Sequence, residues 1–203
     1  MKIICVGRNY AAHVKELNNA VPTEPVLFMK SRNALLLPDK PFYYPEFSDK
    51  VQYECEVVVK ICRNGKVISR RHAHSYFREI GVGIDFTARD LQENLKQKGL
   101  PWEIAKSFDG AAAIGEFIPV DSNMNVDALP FELKVNGEMV QQGNTADMIF
   151  DIAAIIEYAS RYFTLNIGDY IFTGTPAGVG DVNVYDHLVA SLGGRELLDV
   201  SVR

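Results

Sequence analysis

One segment constrains the fold more than any other: residues 51–59 read Val-Gln-Tyr-Glu-Cys-Glu-Val-Val-Val. Its tyrosine and β-branched residues predict a β-strand. Side chains alternate between the faces of a strand, so we expect Glu54 and Glu56 on one face and Cys55 on the other, in the core. Adjacent carboxylates repel each other unless a cation lies between them or one takes up a proton. Taken alone, the pair is more typical of a solvent-facing strand; other segments indicate a metal site.

Composition excludes several classes of function. The chain has 203 residues, 47% of them hydrophobic, which suffices for one large domain or two small ones. The net charge is -5, and the densest basic cluster, Arg70-Arg71-His72, is too short for a nucleic-acid surface. We therefore expect a small-molecule partner, with no nucleic acid and no membrane.

The cysteines and the hydrophobic runs bear on location. The three cysteines, Cys5, Cys55 and Cys62, form no C-x-x-C pair, and an odd number fits a reduced protein better than a disulfide framework. No apolar stretch approaches the roughly 20 residues of a membrane span. The sequence therefore predicts a cytoplasmic protein.

The pattern along the chain predicts an α+β, mainly β fold. Three helices are expected: one capped by Asn9 and running through Leu17, one capped by Thr87 and running to about Lys98, and one over about 146–162. Asn64-Gly65 and Asn136-Gly137 are hairpin signals. The predicted strands are 2–6, 51–61, 79–84, 129–135 and 170–173.

Acidic residues form the first candidate site. Asp85 lies in a glycine-flanked segment where a strand is expected to end, and could equally be a turn or cap residue. Together, Glu54, Glu56 and Asp85 supply only oxygen ligands. Oxygen-only sites suit hard cations such as Mg²⁺ or Mn²⁺, whereas Zn²⁺ prefers histidine and cysteine.

Three further features could carry chemistry. His13 and Glu16 are three residues apart on a predicted short helix, where a carboxylate could orient a general base; a surface pair is the alternative. Lys106, among apolar neighbours, is either a surface lysine with a buried stem or a cation aimed at an anion. The glycine-rich run 173–180 is not a P-loop, and is either a simple turn cluster or a backbone nest for a carboxylate.

Taken together, these segments resemble the fumarylacetoacetate hydrolase family nearly end to end. The matching blocks are Gly7-Arg8-Asn9-Tyr10-Ala11-Ala12-His13 with Glu16, Tyr53-Glu54-Cys55-Glu56, Asp85-Phe86-Thr87-Ala88-Arg89-Asp90-Leu91-Gln92, Pro101-Trp102 with 105–109, Val135-Asn136-Gly137-Glu138 with Gln141, Gly168-Asp169 and 173–180. Any one block is weak evidence, but all of them in order are strong. Tyr53 and Cys55 differ from what close relatives are expected to carry, and neither is a ligand position.

The resemblance implies a single catalytic domain over residues 1–203, folded as a mixed β-sandwich roll and assembled as a homodimer. It implies Mg²⁺ or Mn²⁺ held by Glu54, Glu56 and Asp85, with Lys106 beside the ion. His13 and Glu16 would form the catalytic dyad that activates water. Arg8, Gln92 and Thr175 would contact the substrate.

Family substrates are 2-oxo acids and 1,3-dicarbonyls, so several reactions stay open. We expect hydrolysis of a C–C bond in acylpyruvates, with oxaloacetate decarboxylation as a possible second activity, because hydrolysis uses the dyad to activate water whereas decarboxylation needs no activated nucleophile. The alternatives are an isomerase or decarboxylase of aromatic catabolism, of the 2-hydroxyhepta-2,4-diene-1,7-dioate isomerase type, and an oxaloacetate tautomerase. A binding protein without catalysis is the remaining alternative, disfavoured because no expected metal or dyad position is lost.

Overall fold

The computed structural model describes all residues 1–203 and consists mainly of strands, with few short helices. The helices are α1 (Ala11–Glu16), α2 (Arg89–Gln97), α3 (Glu103–Lys106) and α4 (Ile152–Tyr162), with 3-10 turns at Arg32–Ala34, Arg70–Tyr76 and Thr145–Asp147. The strands are β1 (Ile3–Gly7), β2 (Val26–Lys30), β3 (Val51–Tyr53), β4 (Cys55–Ile61), β5 (Phe77–Asp85), β6 (Thr87–Ala88), β7 (Ala112–Ile114), β8 (Ile118–Pro119), β9 (Pro130–Val135), β10 (Glu138–Asn144), β11 (Tyr170–Phe172), β12 (Gly180–Asp181), β13 (His187–Leu192) and β14 (Arg195–Ser201).

The strands form three sheets. The largest has the order β2-β1-β11-β4-β5-β7, with β8 also paired to β5; the others are β10-β9-β13-β14 and β12-β3-β6. Strands β1 and β11 run parallel, whereas β4 pairs with both of its neighbours in antiparallel fashion. The large sheet is therefore mixed, and the predicted α+β, mainly β class is confirmed.

Alternation along the central strands separates the core from the site. Cys55, Val57 and Val59 of β4 belong to the main core, which also contains residues of the four-stranded sheet. Val58 faces the other way and packs in a smaller cluster with residues of β1 and β11. Because side chains alternate in a strand, Glu56 shares the face of Val58. Glu56 therefore lies on the opposite face of the sheet from the main core, and Cys55 lies in that core, as alternation predicted.

The strand predicted over 51–61 is interrupted at Glu54, which is a correction. Before this residue β3 pairs with β6 and β12, and after it β4 pairs with β5 and β11. The chain thus passes from one sheet to another at Glu54, whose carbonyl oxygen accepts a hydrogen bond from the Asp85 amide at 2.8 Å. Periodicity alone does not detect such a change of partner strands.

The helices predicted near Asn9 and Thr87 exist, but both predicted caps are wrong. Tyr10 and Ala88 occupy the N-cap positions, and neither side chain makes a capping hydrogen bond. The Asn9 side chain instead donates to the carbonyl oxygens of Phe150 (2.9 Å) and Thr173 (2.7 Å) and accepts from the Phe150 amide (2.8 Å). Tertiary hydrogen bonds have taken the polar groups that could have capped locally.

The third predicted helix begins later than expected. Helix α4 starts at Ile152 and is capped by Asp151, which accepts from the Ala154 amide at 2.7 Å. After the 3-10 turn at Thr145–Asp147, the chain pairs with the N-terminal segment before it reaches the cap: Met148 bridges Tyr10, and the Ile149 amide donates to Asn9. The apolar residues in this stretch therefore serve a strand-like contact and not a helix face.

Only one of the two hairpins forms. Asn136 and Gly137 both have positive φ, 52° and 85°, and connect β9 to β10 as predicted. Asn64-Gly65 does not form a hairpin, because Gly65 exchanges backbone hydrogen bonds with Leu165 and β4 pairs instead with β5. The hairpin prediction at 64–65 was wrong.

None of the helices is long and apolar enough to cross a membrane. A cytoplasmic location and assembly as a homodimer stay predictions.

Substitution of Asn9 tests whether its side chain stabilises the fold by joining the N-terminal segment to the distant segments that contain Phe150 and Thr173. Asn9→Ala leaves the buried Thr173 carbonyl and both polar groups of Phe150 without this partner, so the free energy of unfolding should fall by about 2–4 kcal/mol. Urea denaturation measures the change. Asn125→Ala, at an exposed turn, should change it by less than about 1 kcal/mol. An equal effect of the two substitutions would contradict this role of Asn9.

Candidate active site

Three carboxylates meet on the sheet face opposite the main core. Glu54 lies between β3 and β4, Glu56 on β4, and Asp85 at the end of β5. One oxygen from each lies within 4.8 Å of the others, and the three residues are 6%, 2% and 0% exposed. Strand pairing explains the cluster, since β4 and β5 are adjacent and Cys55 is opposite Ile84. The predicted metal ligands are therefore brought together.

Positive side chains surround these carboxylates. Lys106 Nζ donates to Glu54 Oε2 and Asp85 Oδ2, both at 2.8 Å, and to Thr87 Oγ1 at 2.7 Å. Lys30 Nζ lies 2.7 Å from Asp85 Oδ1, and Arg89 Nη2 donates to Glu54 Oε1. Buried charges persist only when paired and hydrogen-bonded, so these cations allow the carboxylates to be buried.

The carboxylates differ in their tendency to ionise. Burial acts to raise the pKa of Glu54, but the charges of Lys106 and Arg89 outweigh it and hold the pKa well below its ordinary value. Burial, reinforced by the charges of Asp85 and Glu54, raises the pKa of Glu56 well above its ordinary value. Burial lowers the pKa of Lys106, but Asp85 and Glu54 more than compensate and the net shift is upward. Glu56 is therefore the member of the cluster that burial and its acidic neighbours hold toward the neutral form.

The cluster fits a divalent cation. Asp85 Oδ1 is fully buried and accepts no hydrogen bond, although the Lys30 ammonium is close to it. Glu56 receives one hydrogen bond, from the Gly174 amide at 2.6 Å. A hard cation bound by carboxylate oxygens would satisfy Asp85 Oδ1 and remove the repulsion at Glu56.

A histidine–carboxylate pair lies at the same pocket. His13 is buried on helix α1, and its Nδ1 is 3.2 Å from Glu16 Oε2. Glu16 Oε1 also accepts from the Gly178 amide at 3.0 Å, so the glycine-rich loop fixes the carboxylate. With Nδ1 directed to Glu16, the other ring nitrogen, Nε2, has no protein partner. The predicted dyad is therefore assembled, and one nitrogen is free to exchange a proton.

The glycine-rich run forms part of the site in a way that sequence reasoning anticipated in outline. Its Gly174 and Gly178 amides bind carboxylates, but these are the protein's own Glu56 and Glu16. Gln141 Nε2 donates to Thr175 Oγ1 at 2.9 Å, and Gln141 Oε1 accepts from the Cys55 amide at 2.9 Å. Gln141 thus connects this loop to strand β4.

One pocket contains most of the predicted site residues. The two predicted residues that do not line it contact residues that do: Asp85 contacts Lys106, and Glu16 contacts His13. The pocket is lined by Val6, Gly7, Arg8, His13, Leu17, Asn19, Phe28, Glu54, Glu56, Arg89, Gln92, Lys96, Trp102, Lys106 and Thr175.

Sequence reasoning assigned no role to three residues at this site: Arg89, Lys96 and Gln141. Arg89, Gln92 and Lys96 are spaced i, i+3, i+7 and so share one face of α2, which is a signal that the sequence contained. Arg89 Nη1 donates to Gln92 Oε1 at 2.5 Å. Lys30 comes from a distant strand, and nothing local in the sequence indicates that it meets Asp85.

Sequence comparison with known proteins finds matches over nearly the whole chain. The family described as Fumarylacetoacetate (FAA) hydrolase C-terminal matches residues 2–202. The chain is 43% identical over 192 residues to the mitochondrial oxaloacetate tautomerase FAHD1 of Mus musculus, covering 95% of this chain and 87% of that protein. It is 41% identical over 197 residues to the oxaloacetate tautomerase YcgM of Escherichia coli (strain K12), covering 97% and 90%.

A solved structure extends the likeness to three dimensions. Fumarylpyruvate hydrolase from Pseudomonas aeruginosa, in complex with Mn²⁺ and pyruvate, superposes with a TM-score of 0.93 at 35% identity, covering 100% of this chain and 89% of that one. The relatives are enzymes, as expected, and the acidic cluster of this chain agrees with the sequence-based expectation of a carboxylate site. The chain therefore belongs to the fumarylacetoacetate hydrolase family.

Proposed function

We propose that this protein interconverts the keto and enol forms of oxaloacetate. The observation that carries the proposal is the placement of a histidine–carboxylate base, His13–Glu16, in the same pocket as the carboxylate cluster of Glu54, Glu56 and Asp85. Similarity to two oxaloacetate tautomerases over 95% and 97% of the chain supports this reaction. It moves ahead of acylpyruvate hydrolysis, which sequence reasoning placed first.

A divalent cation held by Glu54, Glu56 and Asp85 would supply Lewis-acid chemistry, polarising the 2-oxo group and stabilising negative charge on its oxygen. Both Mg²⁺ and Mn²⁺ suit these oxygen ligands, and the relative that contains Mn²⁺ supports the assignment.

The chain's own groups move the proton. His13 Nε2 takes a proton from C3 of the keto acid; the electrons of that C–H bond form the C2–C3 double bond, and the imidazolium returns a proton to the 2-oxo oxygen, directly or through water, to give the enol. Glu16 accepts from His13 Nδ1 and so fixes the ring orientation and the tautomer in which Nε2 is the base. Lys106, an ammonium fixed beside Glu54 and Asp85, adds positive charge next to the oxygen where charge develops.

The remaining predicted residues orient the substrate. Gln92 lines the pocket with an amide group and Thr175 with a hydroxyl group. Arg89 donates a hydrogen bond to Gln92, and Gln141 donates one to Thr175. Arg8 contributes a guanidinium at the same pocket. Fixed polar groups reduce the entropy lost when substrate is positioned.

Acylpyruvate hydrolysis is the second candidate. The same dyad could activate water for attack on the distal carbonyl, after which the C–C bond breaks and pyruvate leaves as its enolate. The likeness to a fumarylpyruvate hydrolase holding pyruvate favours it. Decarboxylation of oxaloacetate would use the same electron sink without an attacking water.

Metal binding should be visible as stabilisation. Mg²⁺ or Mn²⁺ at about 100 times its Kd should stabilise the protein by about 2.7 kcal/mol, raising Tm by about 5–10 °C. Glu56→Gln should remove this shift, and should not lower the Tm of the metal-free protein, because burial and the charges of Asp85 and Glu54 favour the neutral form of Glu56 there. Scanning calorimetry with and without EDTA measures both values.

Glu79→Gln is the matched control for that experiment, since Glu79 lies on β5 with Asp85 but is paired with Lys60 at the surface. It should keep the full metal-induced shift. A shift that survives in Glu56→Gln would place the cation elsewhere.

Activity should depend on the metal, and the reaction that is accelerated should distinguish between the candidates. Purified protein with Mg²⁺ should accelerate the decay of the ultraviolet absorbance of enol-oxaloacetate, and EDTA should abolish the acceleration. Pyruvate release from acetylpyruvate and from oxaloacetate is measured in parallel. Tautomerisation much faster than pyruvate release supports the proposal; pyruvate release from acetylpyruvate without tautomerisation would refute it in favour of hydrolysis.

A further inference from the structure

Two cations in the pocket have no carboxylate partner. Within the pocket, Arg89 pairs with Glu54, and Lys106 with Glu54 and Asp85. No carboxylate oxygen lies within 4.0 Å of the charged nitrogens of Arg8 or Lys96. Positive charge is therefore left over on the side of the pocket that these two residues line.

Their hydrogen bonding leaves room for an anion. Lys96 Nζ donates only to Asn19 Oδ1, at 3.2 Å, so an ammonium with three donors retains two. The Arg8 guanidinium makes no hydrogen bond to the protein. Burial, and then the nearby charges of Arg8 and Arg89, lower the pKa of Lys96, against the smaller opposing effects of Glu93 and Glu54.

Lys96 starts from a backbone position well beyond Arg89, the residue of α2 that contacts the carboxylate cluster. Lys96 lies seven residues after Arg89 on the same face of α2, about 10 Å further along the helix axis. Helical side chains lean toward the N-terminus, so the long Lys96 side chain reaches back over the pocket. Arg8 follows β1 with φ +62°, a conformation that a non-glycine residue adopts at some energetic expense.

The pocket also has an aromatic wall. Phe28 and Trp102 have ring centroids 6.0 Å apart, both line the pocket, and the Phe28 ring lies 5.1 Å from Lys106 Nζ. Such a wall can contact the carbon atoms of a ligand but cannot neutralise its charge. Arg8 and Lys96 are the pocket cations without a carboxylate partner, and so are the groups that can receive an anionic end.

We propose that Arg8 and Lys96 form a subsite for the second carboxylate of a dicarboxylic 2-oxo acid, so that the enzyme selects diacids over substrates with a neutral tail. This inference rests on the proposed function, in which the 2-oxo end of the substrate lies at Glu54, Glu56 and Asp85. Lys96 and Arg8 then determine specificity and bind substrate at a distance from the reacting carbon.

A binding experiment tests the subsite separately from turnover. Trp102 is the only tryptophan of the chain and lines the pocket, so its fluorescence reports occupancy. Oxaloacetate and its 4-methyl ester, which lacks the second charge, are titrated into the Mg²⁺-loaded protein. Lys96→Gln should weaken oxaloacetate binding about 10-fold or more and change ester binding less than about 2-fold, because a charge-assisted hydrogen bond is lost with the diacid alone.

Matched variants complete the design. Lys98→Gln, at the exposed C-cap of α2, should leave both affinities unchanged. Arg8→Gln should reproduce the selective loss of diacid binding. Equal weakening for diacid and ester in Lys96→Gln, or no weakening, overturns the subsite.

The two proposals fail in different ways. Selective loss of oxaloacetate binding in a protein that does not accelerate enol decay would retain the subsite and refute the tautomerase. Acceleration of enol decay, with Lys96→Gln keeping the diacid preference of the native protein, would retain the tautomerase and refute the subsite. A native protein that binds neither ligand would refute both.

Discussion

The burial of three carboxylates against three cations is the constraint on which the rest of this structure depends. Glu54, Glu56 and Asp85 are withdrawn from water, and Lys30, Lys106 and Arg89 offset the desolvation of their charges. Removal of one partner from a buried ion pair typically costs about 3–5 kcal/mol. The elements that carry these residues must therefore hold them together, and β2, β4, β5, α2 and α3 meet at this point.

The site also connects distant parts of the chain. Glu56 is bound by the Gly174 amide, Glu16 by the Gly178 amide, and Asn9 by the Thr173 carbonyl. One short loop near the C-terminus thus holds strand β4, helix α1 and the N-terminal segment. Gly174 has φ +103°, and a Cβ there would lie 2.7 Å from Asn9 Cβ, so a side chain at this position would separate the segments.

Sequence reasoning was most successful where the signal was local or repeated in blocks. The positions of Glu54, Glu56 and Asp85 followed from the resemblance, and alternation correctly placed Cys55 in the core. It failed where distant residues compete for the same groups. Asn9 and Thr87 have the chemistry of helix caps, but Phe150, Thr173 and Lys106 take their hydrogen bonds. Lys30 could not be assigned, because its partner Asp85 is 55 residues away in sequence.

The central claim is that His13 moves a proton at C3 of a 2-oxo acid held by the carboxylate cluster. Deuterium uptake at C3 of oxaloacetate in D₂O, followed by NMR with Mg²⁺ present, measures that step directly. We expect His13→Gln to exchange at least about 100-fold more slowly than the native protein, while Mg²⁺ still raises its Tm. His187→Gln, which alters an exposed histidine paired with Asp199 at 2.7 Å, should exchange at the native rate. Native-rate exchange in His13→Gln would contradict the account.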